Sequence, residues 1–192
     1  MTPKILAFAG STRTDSFNKK LIQVAAKGAQ AAGAEVTLID LRDFPMPLYD
    51  GDLEEKEGVP PNGRRLKELM KSHQGLLLSC PEYNSSITGV LKNAIDWVSR
   101  LETGETPLVC FRGKTAALMS ASPGALGGLR GLVHVRSILG NIGVLVIPEQ
   151  VAVPKADEAF QPAGSLKDPK QQAVVEKLGR SLAEILQKLN PA

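Results

Sequence analysis

The sequence predicts an α/β fold in which five parallel strands, in the order 2-1-3-4-5, form one sheet with helices on both faces. Short apolar runs of strand length alternate with longer segments in which apolar residues recur at helical spacing. Residues 75–80 are continuously apolar, which is typical of a strand covered on both faces. An alternation of this kind implies a parallel sheet with right-handed crossovers.

Five runs are assigned to strands. They are short and largely aliphatic, and they cover residues 5–9, 36–41, 75–80, 114–121 and 143–147. The first run ends at Gly10, and the second has Asp40 near its end.

Helices are predicted between these strands and after the last one. The first helix, residues 17–32, has one apolar face and is followed by Gly33, a typical helix stop. The other helices are a short one around residues 66–70, residues 89–101, residues 127–141, and a final one with apolar positions from 174 to 189. Four prolines predict that residues 42–63 are mostly loop, and residues 148–168 also have loop composition.

Length and composition are those of one globular domain, residues 1–192, with 43% apolar and 22% charged residues. The net charge of +3 is scattered without a basic run, so no nucleic-acid partner is expected. Cys80 and Cys110 form no CxxC pair, so neither a disulfide framework nor a metal site is expected. No apolar stretch approaches the roughly 18–20 residues that cross a bilayer, and no signal peptide is recognisable. We therefore expect a cytoplasmic protein without a membrane partner.

In an open α/β sheet, ligands bind beyond the carboxyl ends of the strands, where the strand order reverses. For the order 2-1-3-4-5 this point lies between strands 1 and 3. The candidate site is therefore carried by the loops at residues 10–18, 81–89 and 122–128.

The first loop reads Gly-Ser-Thr-Arg-Thr-Asp-Ser-Phe-Asn and joins a strand to a helix. Helix N-terminal N–H groups and hydroxyls make an anion site, and Arg13 could add a bidentate contact to a phosphate. The loop matches neither GxxxxGK[ST] nor GxGxxG. The alternative interpretation is that Ser16 or Asp15 simply caps the helix.

The second loop begins with a proline that ends the strand, and it places Tyr83 at the sheet edge, where the ring could pack against a planar ligand. Backbone groups of residues 82–85 could meet the polar edge of a ring. The alternative is an ordinary turn in which Ser86 or Thr88 caps the next helix. In the third loop, glycines either let the backbone approach a ligand or serve a tight turn.

Together these loops resemble the NAD(P)H-dependent FMN reductase family of the flavodoxin-like superfamily. The matching segments are Gly-Ser-Thr-Arg-Thr-Asp-Ser-Phe-Asn (10–18), Pro-Glu-Tyr-Asn (81–84), Leu-Lys-Asn-Ala-Ile-Asp-Trp (91–97), and Ser-Pro-Gly (122–124) with Gly-Gly-Leu-Arg (127–130). The resemblance spans residues 4–150, with the chromate and quinone reductase branch the most similar. It implies a flavodoxin-like three-layer sandwich.

The resemblance also implies that FMN binds to all three loops. The residues implied at the phosphate are Ser11, Arg13, Ser16 and Asn18, with Phe17 beside them. Those implied at the isoalloxazine ring are Pro81, Glu82, Tyr83 and Asn84, with Ser122 and Gly124 at its pyrimidine side.

The implied activity is reduction of quinones, free flavin or other small acceptors, chromate among the candidates, by ping-pong hydride transfer from NADPH or NADH. No catalytic side chain is expected, because the flavin carries the chemistry. A homodimer or homotetramer is implied, with residues 47–52 and 92–100 as candidates for the interface.

Three other functions stay open. One is a flavodoxin-type electron carrier, which the net charge of +3 disfavours because such carriers are usually strongly acidic. Another is an FMN-dependent azoreductase or nitroreductase, which differs only in its acceptor. The third is a regulatory protein on the same fold that binds no flavin.

Four residue positions invite a functional interpretation that we discount. Cys80 ends a buried strand and is expected in the core, since cysteine is among the most buried residue types. His73 and His134 lie on predicted helices and are expected to pack or face solvent. Trp97 is expected to serve packing or an interface rather than to stack on a flavin.

Overall fold

A computed structural model describes residues 1–190 and contains one five-stranded parallel sheet. Its strands are β1 (Lys4–Ala9), β2 (Glu35–Asp40), β3 (Gly75–Ser79), β6 (Thr115–Ala121) and β7 (Leu145–Val153). Their order across the sheet is β2-β1-β3-β6-β7. Two short strands, β4 (Glu82–Tyr83) and β5 (Ser86–Ile87), pair separately as an antiparallel hairpin. Numbered without the hairpin, the order is 2-1-3-4-5, so the predicted fold class is confirmed.

Two helical layers cover this sheet. The helices are α1 (Phe17–Ala31), α2 (Gly51–Glu57), α3 (Pro61–Ser72), α4 (Gly89–Val98), α5 (Leu129–Asn141), α6 (Ala156–Ala159) and α7 (Pro169–Leu189). Buried side chains of α1 and α7 pack with one face of the sheet, and those of α3, α4 and α5 pack with the other. Successive strand residues point to opposite faces, so Ile5 and Ala7 belong to the first core and Leu6 and Phe8 to the second.

The helices α1 and α7 cross at two glycines that permit backbone contact. A Cβ built on Gly28 would lie 1.9 Å from the carbonyl oxygen of Glu176, and one on Gly179 would lie 1.9 Å from that of Ala25. Either methyl group would push the helices apart, so the spacing of this layer depends on both glycines.

The prediction that residues 42–63 are mostly loop was wrong in part. A 3-10 turn occupies Leu41–Asp43, α2 follows, and α3 begins at Pro61. Proline suits this position because the first N–H groups of a helix have no intrahelical acceptor. The side chain of Asp50 accepts a hydrogen bond from Asp52 N and so caps α2. None of the residues of α2 is buried, so the sequence has no apolar periodicity there from which the helix could be predicted.

The fifth strand also extends beyond its prediction, because β7 continues through Pro148 to Val153. It is an edge strand, and its register with β6 shifts at a bulge, which is where a sheet tolerates proline. The guanidinium of Arg136 donates to the carbonyl oxygens of Val146 and Ile147 at 3.3 and 2.9 Å. The predicted loop over residues 148–168 therefore loses its start to β7 and four further residues to α6.

A buried lysine joins α3 to the segment after α4. Lys67 is 1% exposed, and its Nζ lies 2.8 Å from the carbonyl oxygen of Arg100, 2.9 Å from Glu102 and 2.5 Å from Glu105. Burial alone would raise the pKa values of both glutamates, but hydrogen bonds from the neighbouring cations, Lys67 among them, hold them below the ordinary value.

Within residues 1–190, no helix combines the length and apolar character needed to cross a lipid bilayer.

Candidate functional site

The three predicted loops meet at the carboxyl edge of the sheet and line one open cleft. Nine of the eleven predicted residues line it. They are Ser11, Arg13, Ser16, Phe17, Asn18, Pro81, Glu82, Tyr83 and Ser122, joined by Ala121 and Pro123. Asn84 lies at the tip of the β4–β5 hairpin and Gly124 in the loop after β6, both outside this lining.

One end of the cleft is formed by the N-terminus of α1. Ser16 occupies the N-cap position, yet across residues 1–190 its hydroxyl accepts no capping hydrogen bond, so the interpretation of Ser16 as a simple cap is wrong. The first turn contains no acidic residue. Lys19 N donates to the Ser16 carbonyl oxygen at 3.0 Å, whereas within residues 1–190 the backbone N–H groups of Phe17 and Asn18 have no acceptor. The Ser11 hydroxyl accepts from the N–H of Arg13 at 3.2 Å, which shapes the loop before the helix. A helix N-terminus of this kind can bind an anion.

Arg13 adds an exposed cation to this end. Among the described residues 1–190 its guanidinium forms no salt bridge, whereas the nearby Lys19 pairs with Asp40 at 2.5 Å. An exposed arginine at a helix N-terminus, free of a carboxylate, can make a bidentate contact with a phosphate group.

Asn18 is committed to the protein interior. Its Nδ2 donates to the carbonyl oxygen of Ala121 at 2.8 Å, and its Oδ1 accepts from Ala121 N at 3.0 Å and from the Ser79 hydroxyl at 2.9 Å. The residue is 3% exposed. These bonds tie the first turn of α1 to the ends of β3 and β6. Within residues 1–190, the second N–H of the Asn18 side-chain amide has no acceptor.

The β4–β5 hairpin forms the second wall. Its two-residue turn, Asn84 and Ser85, has φ values of 51° and 65°, the left-handed pair of a type I′ turn. The predicted turn is thus present, but its hairpin geometry was missed because serine replaces the usual glycine. Tyr83 is 59% exposed and stands at the cleft. An exposed tyrosine there offers a face for a planar ligand.

Thr88 fixes the end of this loop to the first one. Its hydroxyl accepts from Leu91 N at 3.3 Å as the N-cap of α4 and donates to the carbonyl oxygen of Gly10 at 2.6 Å. The alternative proposed for Thr88, a helix cap, is confirmed. The same hydroxyl also holds the walls of the cleft together.

Glu82 faces away from solvent toward α5. Its carboxylate accepts from Gly131 N at 3.1 Å and from Arg130 Nε at 2.9 Å. Partial burial would raise the pKa of Glu82, but these hydrogen bonds and the arginine charge hold it below the ordinary value. The arginine appears in the Gly-Gly-Leu-Arg segment, yet nothing in the sequence connects it with a glutamate 48 residues away.

The loop after β6 turns tightly onto α5. Gly127 and Gly128 have φ values of 60° and 91°, and a Cβ on Gly128 would lie 1.8 Å from the Ser120 hydroxyl. These two glycines therefore serve the turn, and α5 starts at Leu129 rather than at 127. Nearer the cleft, the Ser122 hydroxyl accepts from Gly124 N at 3.2 Å.

The discounted residues pack or face solvent as expected, and His134 is exposed on α5, but His73 follows α3 instead of lying on a helix. Cys80 is 1% exposed, and burial raises the pKa of its thiol to about 12, so the core assignment is confirmed. Trp97 is fully buried and donates to the Pro47 carbonyl oxygen at 2.8 Å. His73 is buried against Thr37 and Leu69 at the end of α3. An aromatic neighbour was missed: Phe160 stacks on Phe17 with ring centroids 6.1 Å apart, and no spacing in the sequence suggests this pair.

Within residues 1–190, the doubly wound sheet has an uncapped helix N-terminus, an arginine without a salt bridge and an exposed tyrosine at its switch point. The fold is flavodoxin-like, and this edge of the sheet suits a planar, phosphate-bearing ligand. The sequence model described as NADPH-dependent FMN reductase matches residues 3–158, and the chain belongs to that family. It is accordingly a flavoprotein oxidoreductase with FMN as cofactor and NAD(P)H as donor.

Individual relatives agree with this family. The chain is 36% identical over 174 residues to an NAD(P)H-dependent FMN reductase of Pseudomonas aeruginosa, covering 90% of this chain and 89% of the relative. It is also 36% identical over 144 residues to a quinone reductase of Escherichia coli strain K12, covering 75% and 73%. The solved structure of FerB, a flavoenzyme NAD(P)H:(acceptor) oxidoreductase from Paracoccus denitrificans, superimposes with a TM-score of 0.81 at 28% identity, covering 97% and 98%.

Proposed function

We propose that this chain is a single-domain, FMN-dependent enzyme that passes electrons from NAD(P)H to quinones, and also to free flavin and other small acceptors. One observation carries the proposal: within residues 1–190, a single cleft joins the uncapped N-terminus of α1 and Arg13, which forms no salt bridge, to the exposed Tyr83. Bound FMN supplies the hydride transfer, and the protein supplies binding, orientation and electrostatics.

The roles of the side chains follow from their surroundings. Arg13, the Ser11 and Ser16 hydroxyls and the N–H groups of α1 bind the phosphate, and Asn18 holds that helix turn in place. Tyr83 packs against the ring. The Ser122–Gly124 loop would meet the polar edge of the ring through the Ser122 hydroxyl, because Ser122 N and Gly124 N already donate to the Val153 carbonyl oxygen and to that hydroxyl. No side chain needs to act as a nucleophile or general base.

The first experiment is a visible spectrum of the purified protein with one equivalent of FMN, before and after anaerobic addition of NADPH or NADH. We expect flavin absorbance to accompany the protein, to bleach with a reduced nicotinamide nucleotide, and to return when 1,4-benzoquinone is added. Bound flavin that neither nucleotide bleaches would favour the electron carrier. Protein that binds no FMN would refute the proposal.

The phosphate assignment is tested with Arg13→Gln. A charge-assisted hydrogen bond contributes about 1.5–3 kcal/mol, so the dissociation constant for FMN should rise roughly 10- to 100-fold. The dissociation constant for riboflavin, which lacks the phosphate, should not change. Arg180→Gln, which neutralises an exposed arginine on α7, is the matched control for net charge. Equal weakening of FMN and riboflavin by Arg13→Gln would contradict the assignment.

The acceptor range, assembly and compartment belong to the same proposal. We include chromate among the acceptors, because a reduced, exposed flavin donates to many oxidants, and we expect a homodimer or homotetramer. Supporting the assembly, Leu129 and Val133 lie one turn apart on α5 and are 39% and 59% exposed. Residues 47–52 are also expected at the interface. They begin at Pro47, whose carbonyl oxygen accepts a hydrogen bond from Trp97 of the same chain. Light scattering tests the assembly.

The proposed compartment is the cytoplasm. Both cysteines are free and buried within the described chain, which suits a reducing environment. Fractionation of cells that express the tagged protein from its own promoter tests this placement.

A further inference from the structure

The N-terminus of α5 is stabilised from outside its own segment. Its N-cap is Gly128 in a left-handed conformation, its first turn contains no acidic residue, and within residues 1–190 no side chain of the N-cap residue caps it. The acceptor for Gly131 N is the Oε2 atom of Glu82 at 3.1 Å, from the β4–β5 hairpin. One carboxylate therefore supplies both the missing hydrogen bond and the negative charge that a helix N-terminus favours.

The other carboxylate oxygen is also bonded to α5. Glu82 Oε1 lies 2.9 Å from Nε and 2.7 Å from the terminal nitrogen Nη2 of Arg130. The glutamate side chain is 9% exposed and the arginine side chain 58%. Two groups of α5 thus hold one side chain of the hairpin at three donor atoms, a geometry that leaves the carboxylate little freedom.

Close packing reinforces these bonds. A Cβ on Gly131 would lie 3.2 Å from the Ser86 carbonyl oxygen and 3.4 Å from Glu82 Cβ, so the helix and the hairpin touch where glycine leaves room. At the second strand, His134 Nδ1 lies 2.8 Å from the Ser86 hydroxyl. The hairpin is therefore seated on α5 along both of its strands.

Adjacent residues of a strand point to opposite sides. Glu82 turns inward to α5, and the next residue, Tyr83, is 59% exposed at the cleft. The position of the tyrosine ring relative to the cleft is consequently set by the residue before it. Glu82 also lines the cleft, but both oxygens of its carboxylate are hydrogen-bonded to α5.

We propose that Glu82 is a positioning residue: by holding the β4–β5 hairpin on α5, it sets the depth at which Tyr83 meets the FMN ring. This inference rests on the proposed function, since it concerns the same cleft. It assigns the glutamate side chain to α5 rather than to the ring, and it makes Arg130 its partner in that role.

The test measures FMN binding to Glu82→Ala, Glu82→Gln and Arg130→Gln by fluorescence quenching, with the visible circular dichroism of the bound flavin as a second signal. We expect the dissociation constant for FMN to rise about tenfold in Glu82→Ala, as for loss of a charge-assisted hydrogen bond, with an altered dichroism spectrum. In Glu82→Gln and Arg130→Gln the dissociation constant for FMN should rise less, because each variant keeps part of the contact. Glu35→Gln, which removes the exposed Lys4–Glu35 pair at the edge of the sheet opposite the cleft, is the matched control and should match wild type.

A double-mutant cycle with Tyr83→Ala separates positioning from general stabilisation. If Glu82 acts through Tyr83, Glu82→Ala should add little to the FMN affinity loss in the Tyr83→Ala background. The inference would be overturned if the two substitutions multiplied each other's effect on the dissociation constant for FMN. It would also be overturned if Glu82→Ala lowered the melting temperature but left FMN affinity and dichroism unchanged. Failure of the wild-type protein to bind FMN would instead refute the proposed function, so the two failures are distinguishable.

Discussion

Asn18→Ala should destabilise the protein in the absence of FMN. The substitution leaves three polar groups without their partner: the Ser79 hydroxyl, Ala121 N and the Ala121 carbonyl oxygen. An unsatisfied buried group costs about 1–3 kcal/mol. The vacated space adjoins the cleft and is polar, so water can enter and the lower limit applies to each group. We therefore expect a loss of about 3 kcal/mol.

The assay is urea unfolding of the FMN-free protein at neutral pH, with the transition followed by circular dichroism and intrinsic fluorescence. Asn62→Ala is the matched control, because Asn62 also donates its amide to a carbonyl oxygen, that of Pro45 at 2.9 Å, but it is only half-buried and this bond is exposed to solvent. It should change the free energy of unfolding by less than about 0.5 kcal/mol. Asn18→Asp keeps both acceptor bonds but turns an oxygen toward the Ala121 carbonyl, so it should also destabilise.

The result that would refute this reasoning is an FMN-free Asn18→Ala protein as stable as wild type whose FMN affinity is nevertheless lost. Asn18 would then act only as a ligand contact, and its three hydrogen bonds would contribute nothing to the fold.

Two further substitutions test the helix layer and the buried lysine. Gly179→Ala should cost more than about 3 kcal/mol, because its Cβ meets helix backbone at 1.9 Å, whereas Gly140→Ala, with nothing within 4 Å, should be neutral or stabilising by up to about 1 kcal/mol. If Gly179→Ala and Gly140→Ala had the same melting temperature, α1 and α7 could separate without loss of stability. Lys67→Met should cost about 3 kcal/mol at pH 7, since it leaves Glu102 and Glu105 short of a cation. Their pKa values are lower in the folded than in the unfolded state, so this stability is present above the ordinary glutamate pKa of 4.5 and is lost as pH falls below it. Urea titrations from pH 7 to pH 3 should show a smaller acid loss in the variant, and parallel curves would contradict the assignment.

Periodicity was sufficient for most of the fold. The apolar run at residues 75–80 and the helical face of residues 17–32 each predicted an element that exists, because burial on both faces or on one face leaves its own spacing in the chain. It failed at α2, which buries nothing, and at Pro148, where a bulge and Arg136 accommodate a residue that normally ends a strand. Such exceptions depend on partners distant in sequence.

The candidate site was predictable to the level of its loops. The switch-point rule selects the carboxyl edge of the sheet, and nine of the eleven predicted residues meet there. The direction of each side chain was not predictable. Asn18 turns into the interior and Glu82 turns to α5, because their hydrogen-bond partners lie 103 and 48 residues away along the chain.

The sequence by itself determined the alternation of elements, the strand order and the loops that meet at the switch point, since hydrophobic spacing and turn residues are local properties. Tertiary structure alone decided which polar side chains remain free for a ligand. A hydrogen bond depends on distance and direction in space, and only the folded chain brings Asn18 to Ala121 and Glu82 to Arg130 while leaving Arg13 and Tyr83 exposed at the cleft.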